Sequence, residues 1–454
     1  MKKRLFILAI LAAMFTGVQA REHPAQKTDL GLSILKSREP VRFLPASSGY
    51  NSVKEFLDLT GFVETRLGIR TQNDPHEKNM SIGEFRLQLE TEKEFGPFAL
   101  NVVADFLLDP VLDVYAVDLN KGEGVIDLRQ ANIAFTPLAF MDVKIGRQIL
   151  TWGTGDLVFI NDLFAKDWNA FLAGRADEYL KAPTDAIKSS LFFDAVNIDF
   201  IYVPKFGADR FIDGKRISFF DRSSNSLQGR NNPVVVNRPN DWFEDDELSA
   251  RFYRSFGVYE AAFYYYNGYW KSPAGLDILS GNATFPELEV FGASLRSPVA
   301  NGIGNVEAGY YNGANGAATN PLIRNSEFRF LAGYEREIAT ELTASVQYNL
   351  ERKLDYEDYA HSLPGGALRD DENRHVLTLR LTKLMQQQDL RLSLFNFYSP
   401  SDKDGFLRLN ASYKFSDSIK IEGGANFFYG KEDHTFFAQF QNNSGVFAAM
   451  RYEF

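Results

Sequence analysis

The chain has no cysteine. That excludes disulfides, thiolate metal sites, covalent haem attachment and a cysteine nucleophile. Histidine is scarce too: His23, His76, His361, His375 and His434 are the whole set. None sits near a serine and an acid in a way that suggests a hydrolytic triad. There is no zinc-ligand spacing, no Walker loop, no GxGxxG after a strand and no EF-hand spacing. Beyond residue 20 no run of about 18 apolar residues occurs, so no transmembrane helix is expected. Basic residues are in deficit, 49 Lys and Arg against 59 Asp and Glu, for a net charge of −10. This balance argues against nucleic acid as a partner. No enzyme, cofactor or metal site is expected.

What the chain does have is aromatic weight. Phe, Trp and Tyr make up 14% of it, with 40 Phe and 20 Tyr, yet its mean hydropathy lies just on the polar side of zero. At the N-terminus, Lys2, Lys3 and Arg4 precede a short apolar run at 5–15, and Val18-Gln19-Ala20 forms a small-x-small site. Residues 1–20 therefore read as a signal peptide cleaved after Ala20.

From residue 57 onward the dominant signal is alternation. Phe85, Leu87 and Leu89 alternate with Glu84, Arg86, Gln88 and Glu90. Leu342, Ala344, Val346, Tyr348 and Leu350 alternate with Thr343, Ser345, Gln347, Asn349 and Glu351, and Leu407, Leu409, Ala411 and Tyr413 with Arg408, Asn410, Ser412 and Lys414. A period of two is the signature of β-strands with one apolar and one polar face. Such segments number about 18, with 16 as the alternative count, each near the ~9–11 residues that a tilted strand needs to cross a bilayer. In the segment 124–136, Ile126 and Leu128 do not share parity with Ile133 and Phe135, which places a β-bulge around Arg129-Gln130.

The connections alternate as well. Short ones, such as Phe95-Gly96, Phe256-Gly257 and Gln386-Gln387, interleave with long ones at 109–123, 152–186, 205–245, 271–285, 314–325, 352–372 and 430–443. Outer-membrane barrels have short periplasmic turns and long extracellular loops. The chain ends on Val446, Ala448, Met450, Tyr452 and Phe454 at alternate positions. This resembles the closing strand of bacterial outer-membrane β-barrels, whose terminal Phe is read by the barrel-assembly machinery. The expected fold is all-β: a transmembrane antiparallel up-and-down barrel at 56–454 in the bacterial outer membrane, in contact with its lipid. Residues 21–55, interrupted by Pro24, Pro40 and Pro45, are expected to form an N-terminal periplasmic or lumenal segment. They are too few for the plug of a TonB-dependent transporter. All four Trp fall at outer strand ends or in outer loops, where amphipathic rings suit an interface.

The least barrel-like stretch is 145–186. It contains Gly146-Arg147-Gln148 and Trp152-Gly153-Thr154-Gly155-Asp156. Phe159, Ile160, Leu163, Phe164, Trp168, Phe171 and Leu172 follow, too apolar for a loop left in water. Folding inward against the wall would bury them and narrow the lumen; a self-packed surface loop is the alternative. The Gly-Arg-Gln and Trp-Gly-x-Gly-Asp motifs resemble those of poorly characterised porin-like proteins related to alginate-export porins. The resemblance implies a channel-type barrel and assigns no solute.

The expected function is an outer-membrane channel passing a solute between periplasm and exterior, gated or narrowed by 152–186. The expected pore-lining set is Arg147, Gln148, Trp152, Asp156, Asp162, Arg175, Asp177 and Glu178, with Glu84, Arg86, Arg380 and Arg408 on the wall. Opposite charges on the inner face are expected to form a ladder that holds the barrel. The alternative is a plugged barrel acting as scaffold for a periplasmic protein partner, such as an efflux, lipoprotein or electron-transfer component.

Overall fold

The structure, a computed structural model, describes residues 58–454; the leader at 1–20 and the whole segment 21–55 lie outside the described residues. Eighteen strands form one sheet. In chain order they are β1 (Thr60–Arg70), β2 (Met80–Phe95), β3 (Phe98–Leu108), β4 (Ile126–Leu138), β5 (Met141–Ile149), β6 (Pro183–Phe192), β7 (Asn197–Val203), β8 (Glu247–Phe256) and β9 (Tyr259–Tyr269). β10 (Glu287–Val299), β11 (Gly302–Gly313), β12 (Glu327–Ala339), β13 (Leu342–Lys353), β14 (Asn373–Met385), β15 (Leu390–Ser399), β16 (Asp404–Lys414), β17 (Ile419–Tyr429) and β18 (Gly445–Glu453) complete the set.

Each strand pairs antiparallel with its sequence neighbours, and β1 also pairs with β18, from Phe62 opposite Glu453 to Arg70 opposite Gly445. Phe454 finishes the seam: its N–H donates to the Gly61 carbonyl at 3.0 Å, and its own carbonyl accepts from Gly61 N–H at 3.2 Å. Closure leaves no edge strand to aggregate. The sheet is therefore a closed 18-stranded barrel whose tight turns and long loops alternate around the rim. The register on β4 slips so that Val103 faces Gln130 and Ala104 faces Leu128, leaving Arg129 as the bulged residue.

The pleat is inside-out relative to a soluble protein. Phe263 is 66% exposed and Leu67 54%, whereas Arg66 is 1% exposed and Glu307 2%. Water would not tolerate so many bare apolar side chains, and a buried charge needs partners. Both demands are met when the outer face meets hydrocarbon and the charges turn into the lumen. Phe95, Phe98, Phe192, Phe256, Tyr259, Tyr413, Phe415 and Tyr452 stand exposed around the tight-turn end, as an aromatic girdle at a lipid interface would. Among the described residues no helix is long and apolar enough to cross a membrane.

Candidate functional site

The segment between β5 and β6, residues 150–182, lies within the barrel, and its side chains find sockets around the wall. Ile160 packs with Tyr266, Leu288, Val290, Tyr311 and Leu331 of β9 to β12. Phe164 and Trp152, with ring centres 4.9 Å apart, pack with Ile201, Val203 and Tyr264. Phe171 and Leu172 pack with Phe395, Phe397, Phe406 and Phe428 of β15 to β17. Tyr179 meets Phe62 of β1, and the Arg86 guanidinium lies 4.1 Å from its ring centre. One short helix, α1 (Trp168–Ala173), punctuates the segment: the Asp167 side chain caps it by accepting from Ala170 N–H, and Gly174 closes it at φ 91°.

Polar groups fix the same segment. Arg175 donates to Glu84 of β2 at 2.6 and 2.8 Å. Asp177 pairs with Arg408 of β16 at 2.9 Å, Glu178 with Arg451 of β18 at 2.7 Å, and Asp156 with Arg380 of β14 at 2.8 Å. The bulged Arg129 reaches the Glu178 and Lys181 carbonyls at 3.1 and 2.8 Å, so the irregularity aims a wall cation at the segment. Asp162 staples the segment to itself: Thr151 and Lys166 donate to it at 2.8 Å each, and Lys181 pairs with it as well. Burial pushes the Asp162 carboxyl up, but Lys166 and Lys181 outweigh this and hold it below the usual aspartate range. Asp156 goes the other way. Burial raises it, with Asp177 and Glu335 adding to the effect, and Arg380 does not fully offset them.

A second long connection also turns inward. In the β7–β8 segment, 204–246, Arg210 pairs with Asp127 of β4 at 2.7 Å and with Asp167 at 3.4 Å. Arg216 donates to the Ser81 carbonyl at 2.8 Å and pairs with Asp109. Asp209 accepts from Trp168 Nε1 at 2.9 Å. From its length alone, 205–245 is expected to be one of the long outer loops. The same signal was there to be read, because Phe206, Ile212, Ile217 and Phe219 are as apolar as the residues of 152–186.

Of the twelve residues expected to line a pore, eleven divide into two groups. Asp156, Asp177, Glu178 and Arg380 keep part of their side chains open. Glu84, Arg86, Trp152, Asp162, Arg175 and Arg408 are buried and hold the segment in place instead of facing open space, whereas the buried Gln148 donates to the Ala186 carbonyl at 3.0 Å and so ties β5 to β6. Arg147 corrects the expectation outright. It sits opposite Asp185 while its face-mate Ile145, opposite Ile187, is exposed on the outer wall. Arg147 therefore belongs to the outward face, where at the rim it donates to the Leu128 carbonyl at 2.6 Å and to the Leu119 carbonyl. The tryptophans need the same correction: Trp242 is exposed, but Trp152 and Trp270 are buried and Trp168 packs against Phe159 and Phe171. The inner face does carry a charge ladder, with Arg66 bridging Glu64 at 3.1 Å and Glu422 at 2.9 Å, and Arg329 on Glu327 at 2.8 Å. Among the described residues no cluster of His, Cys, Asp or Glu could hold a metal ion.

No protein-family model and no curated protein sequence matches the chain. Solved structures do resemble it. OccK11 (OpdR) of Pseudomonas aeruginosa shares 8% identity over 87% of this chain and 95% of its own, with a TM-score of 0.50. OccK5 (OpdH) of the same bacterium shares 10% identity over 87% and 97%, also at 0.50. The fold is that of an outer-membrane porin barrel. At such identities the likeness is one of fold alone.

Proposed function

We propose that this chain is an outer-membrane channel for a polar solute, with the β5–β6 segment as its constriction. The supporting observation is the course of that segment: it is tied to β1, β2, β4, β14, β16 and β18, and it presents Asp156, Asp177 and Glu178 beside Arg380, Arg408 and Arg451. Facing charges of opposite sign make a selective passage for small polar molecules. The motif resemblance to alginate-export porins is part of this proposal and names no solute. The test is ion conductance in planar bilayers, comparing the wild type with a variant lacking 153–181. A larger current from the deletion variant supports the reading; no current from either variant refutes it.

The plugged scaffold is the second reading, favoured by the inward β7–β8 segment that adds Arg210 and Arg216 to the ion pairs inside the barrel. Under it, a periplasmic protein would co-purify in fixed ratio, and the wild type would conduct only without that partner.

A further inference from the structure

The two ends of the proposed constriction are held differently. Its far end, 174–181, is held by ion pairs from Arg175, Asp177 and Glu178 and by wall arginines on its backbone carbonyls. Its near end, 153–161, has, among the described residues, one ion pair, Asp156 with Arg380, and otherwise closes around one carboxylate of the wall, Glu307 on β11. That carboxylate accepts the backbone N–H of Gly155 at 2.8 Å and of Asn161 at 3.3 Å, the Asn161 side-chain amide at 3.0 Å, and the backbone N–H of Thr154. Glu307 is buried, and among the described residues no Lys, Arg or His lies within ion-pair distance of it. A buried carboxylate is costly unless its lone pairs are filled. Here the donors come from the loop, so the loop's seat and the anion's satisfaction are one event. Backbone N–H groups converging on one oxygen pair form a nest, which binds an anion whatever side chains the loop carries.

The wall is shaped for the same approach. A Cβ on Gly309 of β11 would stand 2.9 Å from Ile160 Cγ2, and one on Gly292 of β10 would overlap the Asn161 amide oxygen. Both glycines leave room at the places where the loop comes closest. Tyr311, two residues from Gly309, donates its hydroxyl to the Ile160 carbonyl.

We infer that Glu307 is the positioning residue of the constriction: its carboxylate acts as a latch that sets how far 153–161 reaches into the lumen. This rests on the channel reading of 150–182, and it adds a single residue on which the aperture depends. In Glu307→Gln, an amide NH2 would face the loop's N–H donors, so the nest loses acceptors without losing volume. Hydrogen bonds to a charged group are the strong ones, and their loss corresponds to a drop in local protection of about tenfold or more.

The experiment is amide hydrogen exchange and single-channel recording on the full chain reconstituted in lipid. For Glu307→Gln we expect at least tenfold faster exchange at Gly155 and Asn161, unchanged exchange across β10 to β12, and a larger, noisier current. Should Glu307→Gln fail to assemble, Asn161→Ala removes a donor from the loop side and is expected to move both readouts in the same direction by a smaller amount. Unchanged exchange at Gly155 and Asn161 in a folded barrel overturns the inference. If the current grows only when 153–181 is deleted and not in Glu307→Gln, the latch is refuted while the channel reading stands. Faster exchange in Glu307→Gln, with no current from any variant including the deletion, upholds the latch and refutes the channel.

Discussion

Glu84 is one carboxylate shared by three guanidiniums. Arg175 of the β5–β6 segment lies at 2.6 Å, Arg86 of its own strand at 3.1 Å, and Arg216 of the β7–β8 segment at 3.5 Å. All four side chains are almost fully buried. Replacing Glu84 by Gln keeps the shape and removes the charge. Breaking a buried ion pair from one side costs about 3–5 kcal/mol, because the orphaned charge stays buried. Each arginine keeps another acid, however: Arg86 has Asp105, Arg216 has Asp109, and Arg175 has Asp167 at 3.6 Å. The expected cost therefore falls at the low end, about 3 kcal/mol, or roughly a hundredfold in a local opening equilibrium. Hydrogen exchange reads this directly. The amides of Arg175, Tyr179 and Leu180, bonded to the Ala170, Ala176 and Asp177 carbonyls, should lose about two powers of ten in protection. The ladder between β2 and β3 should not change. A loss below about threefold at those three amides would mean that the ion pairs do not seat the segment, and would refute the reasoning.

Three further outcomes are expected. Ile160→Ala should empty the socket among Tyr266, Tyr311 and Leu331 and cost about 2–5 kcal/mol of loop seating; faster exchange at Asn161, with the barrel's heat-modifiable gel mobility intact, would report it. Acid should leave the Asp162 staple standing at first. Its carboxyl is held below the usual range, so its stabilisation is present above the ordinary aspartate value of roughly 3.9 and is lost only as pH falls through the lower folded-state value. Exchange near residue 162, followed on acidification, should therefore rise below about pH 4 in the wild type and show no such step in Asp162→Asn. Phe263→Arg, mid-strand on the outer wall, should destabilise the barrel by about 2–4 kcal/mol in a lipid refolding titration; a neutral result would place that face in water.

Much of the fold was legible because alternation needs no knowledge of distant contacts. The charges on Glu84, Arg86, Arg408 and Arg451 fix which way their strands face, and parity across Leu128 and Ile133 was enough to locate the bulge at Arg129. What covers an inner face is not written in that period. Arg86 and Asp177 look alike in sequence, yet one is buried under Tyr179 and the other half open. Arg147 was misplaced because a glycine and a strand end hide the parity that Ile145 sets. Glu307 carried no signal of its own: three of its four donors are backbone groups about 150 residues away, and a sequence does not display backbone donors. The inward course of 204–246 was missed because long outer loops are the rule in such barrels, and that rule outweighed the apolar content of this one.

Because the chain has no cysteine, one engineered thiol reports on one place. Asp177→Cys puts that thiol on the open face of the β5–β6 segment, where the native side chain is 57% exposed. The most direct measurement is the single-channel current of Asp177→Cys before and after a charged, water-soluble thiosulfonate. A stepwise fall in current, absent in the wild type, is the expected result. An unaltered current after demonstrated labelling would contradict the claim that ions pass alongside this segment.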